Sequence, residues 1–474
     1  MIEFPWLEVS LILAALGAVS VGCLRSPGRA YGWGLAITAA VFACTVPAWL
    51  QHYLGLKTSP HWSIQEALFG TIIFQLDELS APLVPAVALL HFLTALATAR
   101  TKMRRFSLSW SLASESIRLA TFSCATPWVL IGLLIACAIP PFVELRNRGK
   151  STVVYRLHMG LFVALLIIGW AAVEAAGNPA VAPSWAVIPL MAAVLIRCGA
   201  IPAHCWLTDW FENASFGNAL LFVAPLTGVY AALRLVIPSS PDWVLLGIVS
   251  FSQATAIYAA AMAVFQVEAR RFFAYLFLSH ASLVLLGLEL HTPLSLTGAL
   301  CLWFSTILSL GGFGLTLRAL EGRFGRLSLA RHRGLYDHSP TLAVCFLLTG
   351  LGSVGFPGTL GFISTELLVD GASSASPVVG LVMVSAAALN GIAVLRVYFL
   401  LFAGARHTST VSLEMGVRER MALLALAALV LCGGLFPQPG IATRYKAAEE
   451  LLQQRHRHEV SDLADRPGAG NQPG

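Results

Sequence analysis

Several ionisable side chains lie inside long apolar stretches, where they could carry protons across a membrane. A charged group at the centre of a bilayer is costly, so such residues occur mainly along ion and proton pathways. The strongest candidate is Arg197, because packing alone does not explain an unpartnered arginine at that depth. The candidates for a proton path are Arg197, His204, Asp209, His280, Glu366, Glu115 and Glu144.

Several ionisable residues in these stretches also have a structural explanation, which the sequence leaves open. Glu115 and Arg118 are three residues apart and share a helix face, so they could form a buried ion pair that fixes packing. Asp209 could cap the helix that follows it. His280 could be a neutral, hydrogen-bonded histidine, and His158 is expected at the membrane interface because it lies near the start of an apolar segment.

The composition is typical of a polytopic membrane protein. Of the 474 residues, 57% are hydrophobic and 11% are charged, and the mean hydropathy is +0.76. A soluble domain carries about 25% charged residues, and about 20 apolar residues cross a bilayer as a helix. The sequence predicts an all-α protein with about 14 transmembrane segments. Their centres lie near residues 16, 41, 89, 120, 133, 166, 192, 228, 253, 281, 304, 350, 390 and 428.

Basic residues in the predicted loops indicate the orientation. Arginine and lysine concentrate after the odd-numbered segments, as at 100–105 and 318–333, whereas the other loops hold almost none beyond Lys57. Because basic residues stay on the cytoplasmic side of short loops, the odd-numbered loops are predicted to be cytoplasmic. The N-terminus and the tail after Pro439 are then predicted to lie outside a bacterial-type inner membrane. The net charge of +6 therefore reflects topology rather than nucleic-acid binding.

Two apolar segments are interrupted by glycine and proline, at 195–209 and at 350–366. The backbone groups that these residues free are tolerated at membrane depth where they face protein or a water-filled cavity. Broken helices at corresponding positions of two halves are the best sequence indication of a transport site. For either break alone, a simple packing kink is the alternative.

The nine cysteines indicate no redox or metal centre. None is spaced like a zinc or iron–sulfur ligand pair, and nearly all lie in apolar segments, where a thiol behaves as a small hydrophobic group. The sequence also has no glycine-rich phosphate-binding loop. We therefore expect no metal, no cofactor and no redox centre on this chain.

Six motifs follow each other between about residue 70 and residue 440. They are FQLDELS at 74–80, IPAHCWLTD at 201–209, TGVYAALR at 227–234, EARRFFAY at 268–275, GFPGTLGFISTE at 355–366 and GLFPQP at 434–439. Together they resemble the proton-conducting antiporter family, which includes the L, M and N subunits of respiratory complex I and the large subunits of multisubunit sodium/proton antiporters. The last two motifs look most like the M subunit.

The resemblance implies two inverted five-helix repeats with one broken helix in each. On that basis the chain divides into N-terminal helices at 1–105, a first repeat at 106–238, a second repeat at 239–405, a last helix at 406–440 and a polar tail at 441–474. For the tail we expect disorder or a partner contact. The implied partners are other membrane subunits of a multisubunit complex and the lipid bilayer, without nucleic acid.

The residues that carry protons in this family are largely replaced here. The family's path runs from a glutamate on the fifth helix through a lysine on the broken seventh and a lysine or histidine on the eighth to a lysine or glutamate on the broken twelfth. The seventh-helix lysine matches Arg197, which keeps its charge under ordinary conditions. Uncharged residues match the other positions: Ile135 or Ala136 for the glutamate, Leu226 for the eighth-helix lysine, Ser305 and Ser309 in the eleventh segment, and Asn390 as the polar candidate further on.

Three functions are consistent with this pattern. The first is an antiporter-like subunit of a complex I-like proton-translocating complex with an altered proton path, in which the quinone chemistry takes place on other chains. The second is a membrane energy-coupling subunit of an inorganic-carbon uptake or sodium/proton antiporter complex. The third is a structural subunit that has kept the fold and lost the path, which the missing glutamate and lysines favour.

Overall fold

The computed structural model describes residues 4–56, 64–98, 107–177, 184–288, 292–404 and 415–464, and these residues form helices without a β-strand. The helices are α1 (Trp6–Gly22), α2 (Pro27–Tyr53), α3 (Ile64–Phe69), α4 (Leu83–Leu96), α5 (Leu108–Ser123), α6 (Pro127–Cys137), α7 (Ile139–Asn147), α8 (Val153–Ala175), α9 (Ser184–Cys198), α10 (Cys205–Asn213), α11 (Phe216–Val223), α12 (Thr227–Ala231), α13 (Asp242–Phe265), α14 (Ala269–Leu288), α15 (Pro293–Phe324), α16 (Pro340–Ser353), α17 (Leu360–Ala375), α18 (Pro377–Phe402), α19 (Val417–Leu435) and α20 (Gln438–Ala464). A π-helical turn at Ala232–Val236 continues α12, and 3₁₀ turns lie at Ile237–Ser239 and Tyr336–His338.

Many of these helices are long and apolar enough to cross a membrane. Within the described ranges, eight continuous helical stretches meet that condition, and α19 with the start of α20, bent by 77°, adds a ninth if the pair counts as one span. Four further apolar helices have 10–17 residues. Each segment centre predicted from the sequence falls within a described helix. The chain is therefore an all-α, multi-pass membrane protein.

Two sets of helices follow each other in the same order. The first set is α5, α6 with α7, α8, α9 with α10, and α11 with α12. The second set is α13, α14, α15, α16 with α17, and α18. In each set the fourth member is broken, at residues 199–204 and 354–359, as the glycine and proline residues predict. An odd number of crossings starts the second set from the opposite side of the membrane, which makes the repeats inverted.

Helix α15 is the centre of the packing. It has 32 residues and contacts α14, α16, α17, α19 and α20 within the second half, and α4 and α11 outside it. Small residues allow its close approach to α17: a Cβ atom added at Gly298 would lie 2.5 Å from the amide nitrogen of Leu368. An added Cβ at Gly371 of α17 would likewise lie 2.5 Å from the amide nitrogen of Ser295. Backbone packing at these glycines holds the second broken helix against α15.

Residues 441–464 of the polar tail belong to helix α20, so the expectation of disorder is wrong for them. One face of α20 is buried at helical spacing, and it consists of Arg444, Ala447, Ala448, Leu451 and Arg455. The guanidinium of Arg444 donates to the carbonyl oxygens of Leu79 at 3.0 Å and Glu78 at 2.6 Å. Composition concealed this face because two of its members are arginines, whose charge suggests a solvated segment. Residues 465–474 lie outside the described part of the chain.

Methionine in place of Arg444 is expected to loosen α20 from the segment before α4. The substitution leaves two carbonyl groups without their donor, at a cost of about 1–3 kcal/mol for each buried group. Hydrogen–deuterium exchange of the assembled complex should become faster across α20 and residues 77–80. Lys446→Met, on the exposed side of the same helix, is the control. Equal exchange in both variants would contradict the anchoring role of Arg444.

Candidate functional site

The break in the first repeat surrounds a buried arginine. Arg197 lies in the last turn of α9 and is 5% exposed. Its Nη2 donates to Thr227 Oγ1 at 2.7 Å, and its Cζ lies 4.4 Å from the centre of the Phe222 ring and 5.6 Å from that of Trp206. Trp206 Nε1 in turn donates to the carbonyl oxygen of Ile196 at 2.8 Å, which ties α10 back to α9. One hydroxyl and two aromatic faces therefore hold the guanidinium.

In the part of the chain that the structure describes, Arg197 has no carboxylate as an ion-pair partner. Within the described ranges, no aspartate or glutamate oxygen lies within 4.0 Å of its guanidinium. The carbonyl end of α9 and the aromatic faces favour a cation there, although more weakly than an ion pair would. Since arginine keeps its proton in proteins, the helix break carries a permanent positive charge.

A second group of buried charges lies between α4 and α5. Arg118 Nη1 is 2.9 Å from His91 Nε2, and His91 Nδ1 is 3.9 Å from Glu115 Oε2. The ion pair considered for Glu115 and Arg118 does not form, since no contact within 4.0 Å joins them and His91 is the partner of the guanidinium instead. Arg118 Cζ also lies 6.0 Å from the centre of the Phe222 ring. The Phe222 ring is thus next to both Arg118 and Arg197.

A cavity of about 450 Å³ adjoins this group. His91, Ser111, Arg118, Glu144 and Lys150 are among the residues of its wall. Because Lys150 is exposed, the cavity reaches the surface beside the connection between α7 and α8. The cavity therefore joins the buried histidine and arginine to the outside of the protein.

Glu144 is held in the wall of this cavity by two donors. The backbone amide of Ser215 lies 2.7 Å from Glu144 Oε1, and Asn218 Nδ2 lies 2.5 Å from Oε2. Ser215 precedes α11, so Glu144 supplies a carboxylate to the start of that helix, where the helix dipole favours negative charge. Glu144 thus links α7 to α11 as well as lining the cavity.

In the second repeat, His280 faces the broken helix. Its Nδ1 is 2.8 Å from the carbonyl oxygen of Leu276, and its Nε2 is 2.9 Å from that of Ser353, the last residue of α16. A neutral imidazole donates from only one nitrogen, so both contacts are hydrogen bonds only when the ring is protonated twice. Beside it, Asn390 Nδ2 donates to Ser279 Oγ at 2.9 Å, and Asn390 Oδ1 has no hydrogen-bond partner among the described residues. The protonation of His280 is therefore coupled to the contact with the break.

Both His280→Gln and His280→Leu are expected to lower proton flux through the complex, on the order of 100-fold, because neither side chain takes up a proton. Flux into vesicles that contain the assembled complex measures the effect. Glutamine keeps one hydrogen-bond donor for the carbonyl of Ser353, so it separates proton transfer from simple bridging. If glutamine restored the flux, His280 would be a structural bridge.

Three predicted site residues lie apart from these groups. His204 is half-buried just before α10, with Nε2 at 3.3 Å from the hydroxyl of Tyr258. Asp209 lies inside α10 and accepts from Asn213 Nδ2 at 2.9 Å. This position within a helix rules out the expected cap. Glu366 is exposed on α17. The structure therefore brings Glu115, Glu144 and Arg197 to one region and leaves these three outside it.

His91 and Arg318 are among the buried residues that were not recognised from the sequence. His91 lies in the apolar stretch that forms α4. A histidine inside an apolar stretch is the pattern that singled out His280, and the same pattern could have identified His91. Arg318 was assigned to a loop, but α15 continues to Phe324 and buries it. Its Nη1 donates to the carbonyl oxygen of Thr94 at 2.9 Å and its Nη2 to Thr98 Oγ1 at 2.8 Å. An arginine that follows an apolar run, such as Arg318, is assigned to a loop when the length of the helix is not known.

Two of the sequence motifs meet in space. Asp77, in the first motif, forms an ion pair with Arg234, in the third. The hydroxyl of Tyr230 lies 3.1 Å from the carbonyl oxygens of both Phe122 and Cys124, where α5 ends. These contacts join the N-terminal helices to the first repeat.

Comparison with known proteins agrees with this architecture. Residues 157–390 match the family described as NADH:quinone oxidoreductase/Mrp antiporter, TM. The chain is 28% identical to NADH-quinone oxidoreductase subunit 13 of Thermus thermophilus, over 90% of this chain and 95% of that relative. Its fold matches a chain of respiratory complex I from Thermus thermophilus with a TM-score of 0.81 at 23% identity, over 95% of this chain and 99% of that one. It matches a chain of the Mrp complex from Dietzia sp. with a TM-score of 0.81 at 18% identity, over 96% and 99%. With a broken helix in each of two consecutive sets of helices and this sequence similarity, the chain is homologous to the antiporter-like membrane subunits of NADH-quinone oxidoreductases.

Proposed function

We propose that this chain is an antiporter-like membrane subunit of a complex I-like proton-translocating complex and that it conducts protons along a rearranged path. The observation that carries the proposal is the charge of Arg197, buried at a helix break without a carboxylate beside it. An isolated buried charge costs several kcal/mol even after the protein relaxes around it. A residue with that cost is better explained by an electrostatic role in transport than by a contribution to stability.

Arg197 acts as a fixed charge on this path and not as a proton carrier, because a guanidinium does not release its proton. Its field changes the affinity of neighbouring groups for protons. Protons enter through the cavity beside α5, past Glu144 to Glu115. The path continues through His280 at the second break and ends at Glu366 on α17. His204 and Asp209, beside the first break, are further candidates that lie off this line.

One observation favours a structural subunit instead. Leu226 and Ile135 stand where the resemblance places a lysine and a glutamate, and Leu226 is buried among apolar neighbours. An inorganic-carbon uptake or sodium/proton antiporter complex remains the other alternative, with the same geometry and a different driving reaction. In each case other membrane subunits are the partners. We also propose that both termini lie on the outer, non-cytoplasmic side of the membrane and that the repeats divide at the boundaries inferred from the sequence.

Reconstitution of the complex, purified through a tag on this chain, tests these functions. Vesicles that contain a pH-sensitive dye are given a potassium diffusion potential, and proton entry is followed with and without sodium. The expected result is proton entry faster than into protein-free vesicles and independent of sodium. Entry that requires sodium would favour the antiporter alternative. The absence of flux through an intact complex would favour the structural one.

A further inference from the structure

The group formed by His91, Glu115 and Arg118 is unusual in how many of its polar atoms have no partner. The three residues are 0%, 0% and 3% exposed, respectively. His91 Nδ1, both carboxylate oxygens of Glu115 and Arg118 Nε are buried and form no hydrogen bond with any of the described residues. A buried polar atom that stays unpaired destabilises the fold. Packing does not explain a group of this kind, whereas exchange of protons with water in the adjoining cavity does.

The bond from Arg118 decides which nitrogen of His91 carries the proton. A guanidinium can only donate, so His91 Nε2, at 2.9 Å from Arg118 Nη1, has to accept. A neutral imidazole that accepts at Nε2 carries its hydrogen on Nδ1. Nδ1 is the atom that faces Glu115 Oε2 at 3.9 Å. This separation is too long for a direct hydrogen bond, and one bridging water or a small rotation of the side chain closes it.

We propose that His91 and Glu115 form a proton-loading pair and that the hydrogen bond from Arg118 to His91 Nε2 prevents proton uptake. This hydrogen bond is called the lock below. The proposal rests on the proposed function, because the pair takes its protons from the cavity beside α5. While Arg118 donates to Nε2, the ring cannot bind a second proton. When the guanidinium moves away, a proton from water in the cavity binds Nε2, and the proton on Nδ1 passes to the carboxylate of Glu115. The ring is left neutral with its proton on Nε2.

The lock follows from the same hydrogen-bond chemistry. Arg118 cannot donate again to a nitrogen that already carries a proton, so its bond reforms only after Nε2 has lost it. Each release of Arg118 therefore loads one proton onto Glu115. His91 carries the proton, and Arg118 is the positioning residue that controls access to it.

Repulsion from a second arginine, Arg197, favours movement of Arg118 away from His91. The centre of the Phe222 ring lies 6.0 Å from Cζ of Arg118 and 4.4 Å from that of Arg197. Like charges this close repel each other strongly in a buried site, so a change of charge near Arg197 shifts the balance at Arg118. Other titratable and charged groups face the pair or its helices from the elements around it: Tyr31, Cys137, Glu144, Tyr155, Arg197 and Arg318.

Proton entry into vesicles with the intact complex, driven by a diffusion potential, tests the lock. Arg118→Met frees Nε2 of His91 and is expected to raise the entry rate several-fold above wild type. His91→Gln can still accept from Arg118 and face Glu115, but it takes up no proton. It is expected to lower the rate on the order of 100-fold, down to that of protein-free vesicles. Arg118→Met combined with His91→Gln should be as slow as His91→Gln alone.

The outcomes separate this inference from the proposed function. A wild-type complex without flux would count against the proposed function. A conducting wild type whose Arg118→Met variant is no faster, or whose double variant stays fast, would overturn the lock. Arg118→Leu, which also lacks a donor and should also be faster than wild type, is the second variant if the methionine variant does not assemble. His332→Gln, outside the cavity, is the control and should conduct like wild type.

Infrared difference spectra of the assembled complex after a pH jump give a readout that needs no flux. Loading of the pair should produce the carbonyl band of a protonated carboxyl group together with ring bands of an imidazole. Glu115→Gln should remove the carbonyl band and change the imidazole bands in the same spectrum. Imidazole bands that stay as in wild type would show that His91 and Glu115 do not share a proton.

Discussion

Methionine in place of Arg197 is expected to reduce proton flux through the assembled complex to that of protein-free vesicles. The substitution removes the permanent positive charge from the break between α9 and α10, so the groups along the path lose the field that sets their affinity for protons. Methionine is flexible and apolar and can fill the space between the rings of Phe222 and Trp206. Flux in vesicles, compared at equal amounts of assembled complex, measures the result.

The fold should tolerate this change. Arg197→Met gives up one hydrogen bond to Thr227, worth about 0.5–1.5 kcal/mol, and it also removes the cost of a buried charge. Arg197→Lys retains a positive charge and should conduct. Arg396→Met, which removes a half-buried arginine bonded to the carbonyl of Gln266, is the matched control and should leave the flux unchanged. Wild-type flux in Arg197→Met would mean that the chain is structural or that protons take another route.

Alanine in place of Gly361 is expected to abolish flux and to lower the stability of the second repeat. A Cβ atom at this position would lie 1.9 Å from the carbonyl oxygen of Gly352. Real Cβ atoms essentially never approach another heavy atom closer than 3.0 Å. Gly361 lies in the first turn of α17 and Gly352 in the last turn of α16, so the added methyl group forces the two halves of the broken helix apart. The overpacking costs about 1–3 kcal/mol. The next carbonyl along α16 is that of Ser353, which contacts His280.

Gly391→Ala is the control for this experiment. Gly391 lies within α18, and the nearest atom to an added Cβ is a methyl carbon of Val354 at 3.9 Å, which is ordinary contact. Because alanine favours a helix over glycine by about 1 kcal/mol, this variant should be as stable as wild type or more so. Thermal unfolding in detergent and proton flux in vesicles measure both effects. A Gly361→Ala variant with wild-type flux would show that the break does not need its present geometry.

The sequence by itself determined the class of protein and the places of the helix breaks, and it singled out Arg197 as a candidate site residue. These features are local: apolar runs exceed the thickness of a bilayer, and glycine and proline interrupt the backbone hydrogen bonds wherever they occur. An arginine inside such a run is visible without knowing any neighbour. The motifs between residues 74 and 439 added the family and, with it, the two inverted repeats.

Partners across helices were decided only by the tertiary structure. Spacing places Glu115 and Arg118 on one face of α5, yet α4 brings His91 to the guanidinium, and the pair that the spacing predicts does not form. Glu144 reaches the start of α11, more than 70 residues away, which no local pattern encodes. The buried face of α20 could not be recognised from its polar composition, because the neighbours that cover it were not known. The physical reason is the same in each case: helical periodicity fixes which residues share a face, and the packing of distant helices fixes what that face meets.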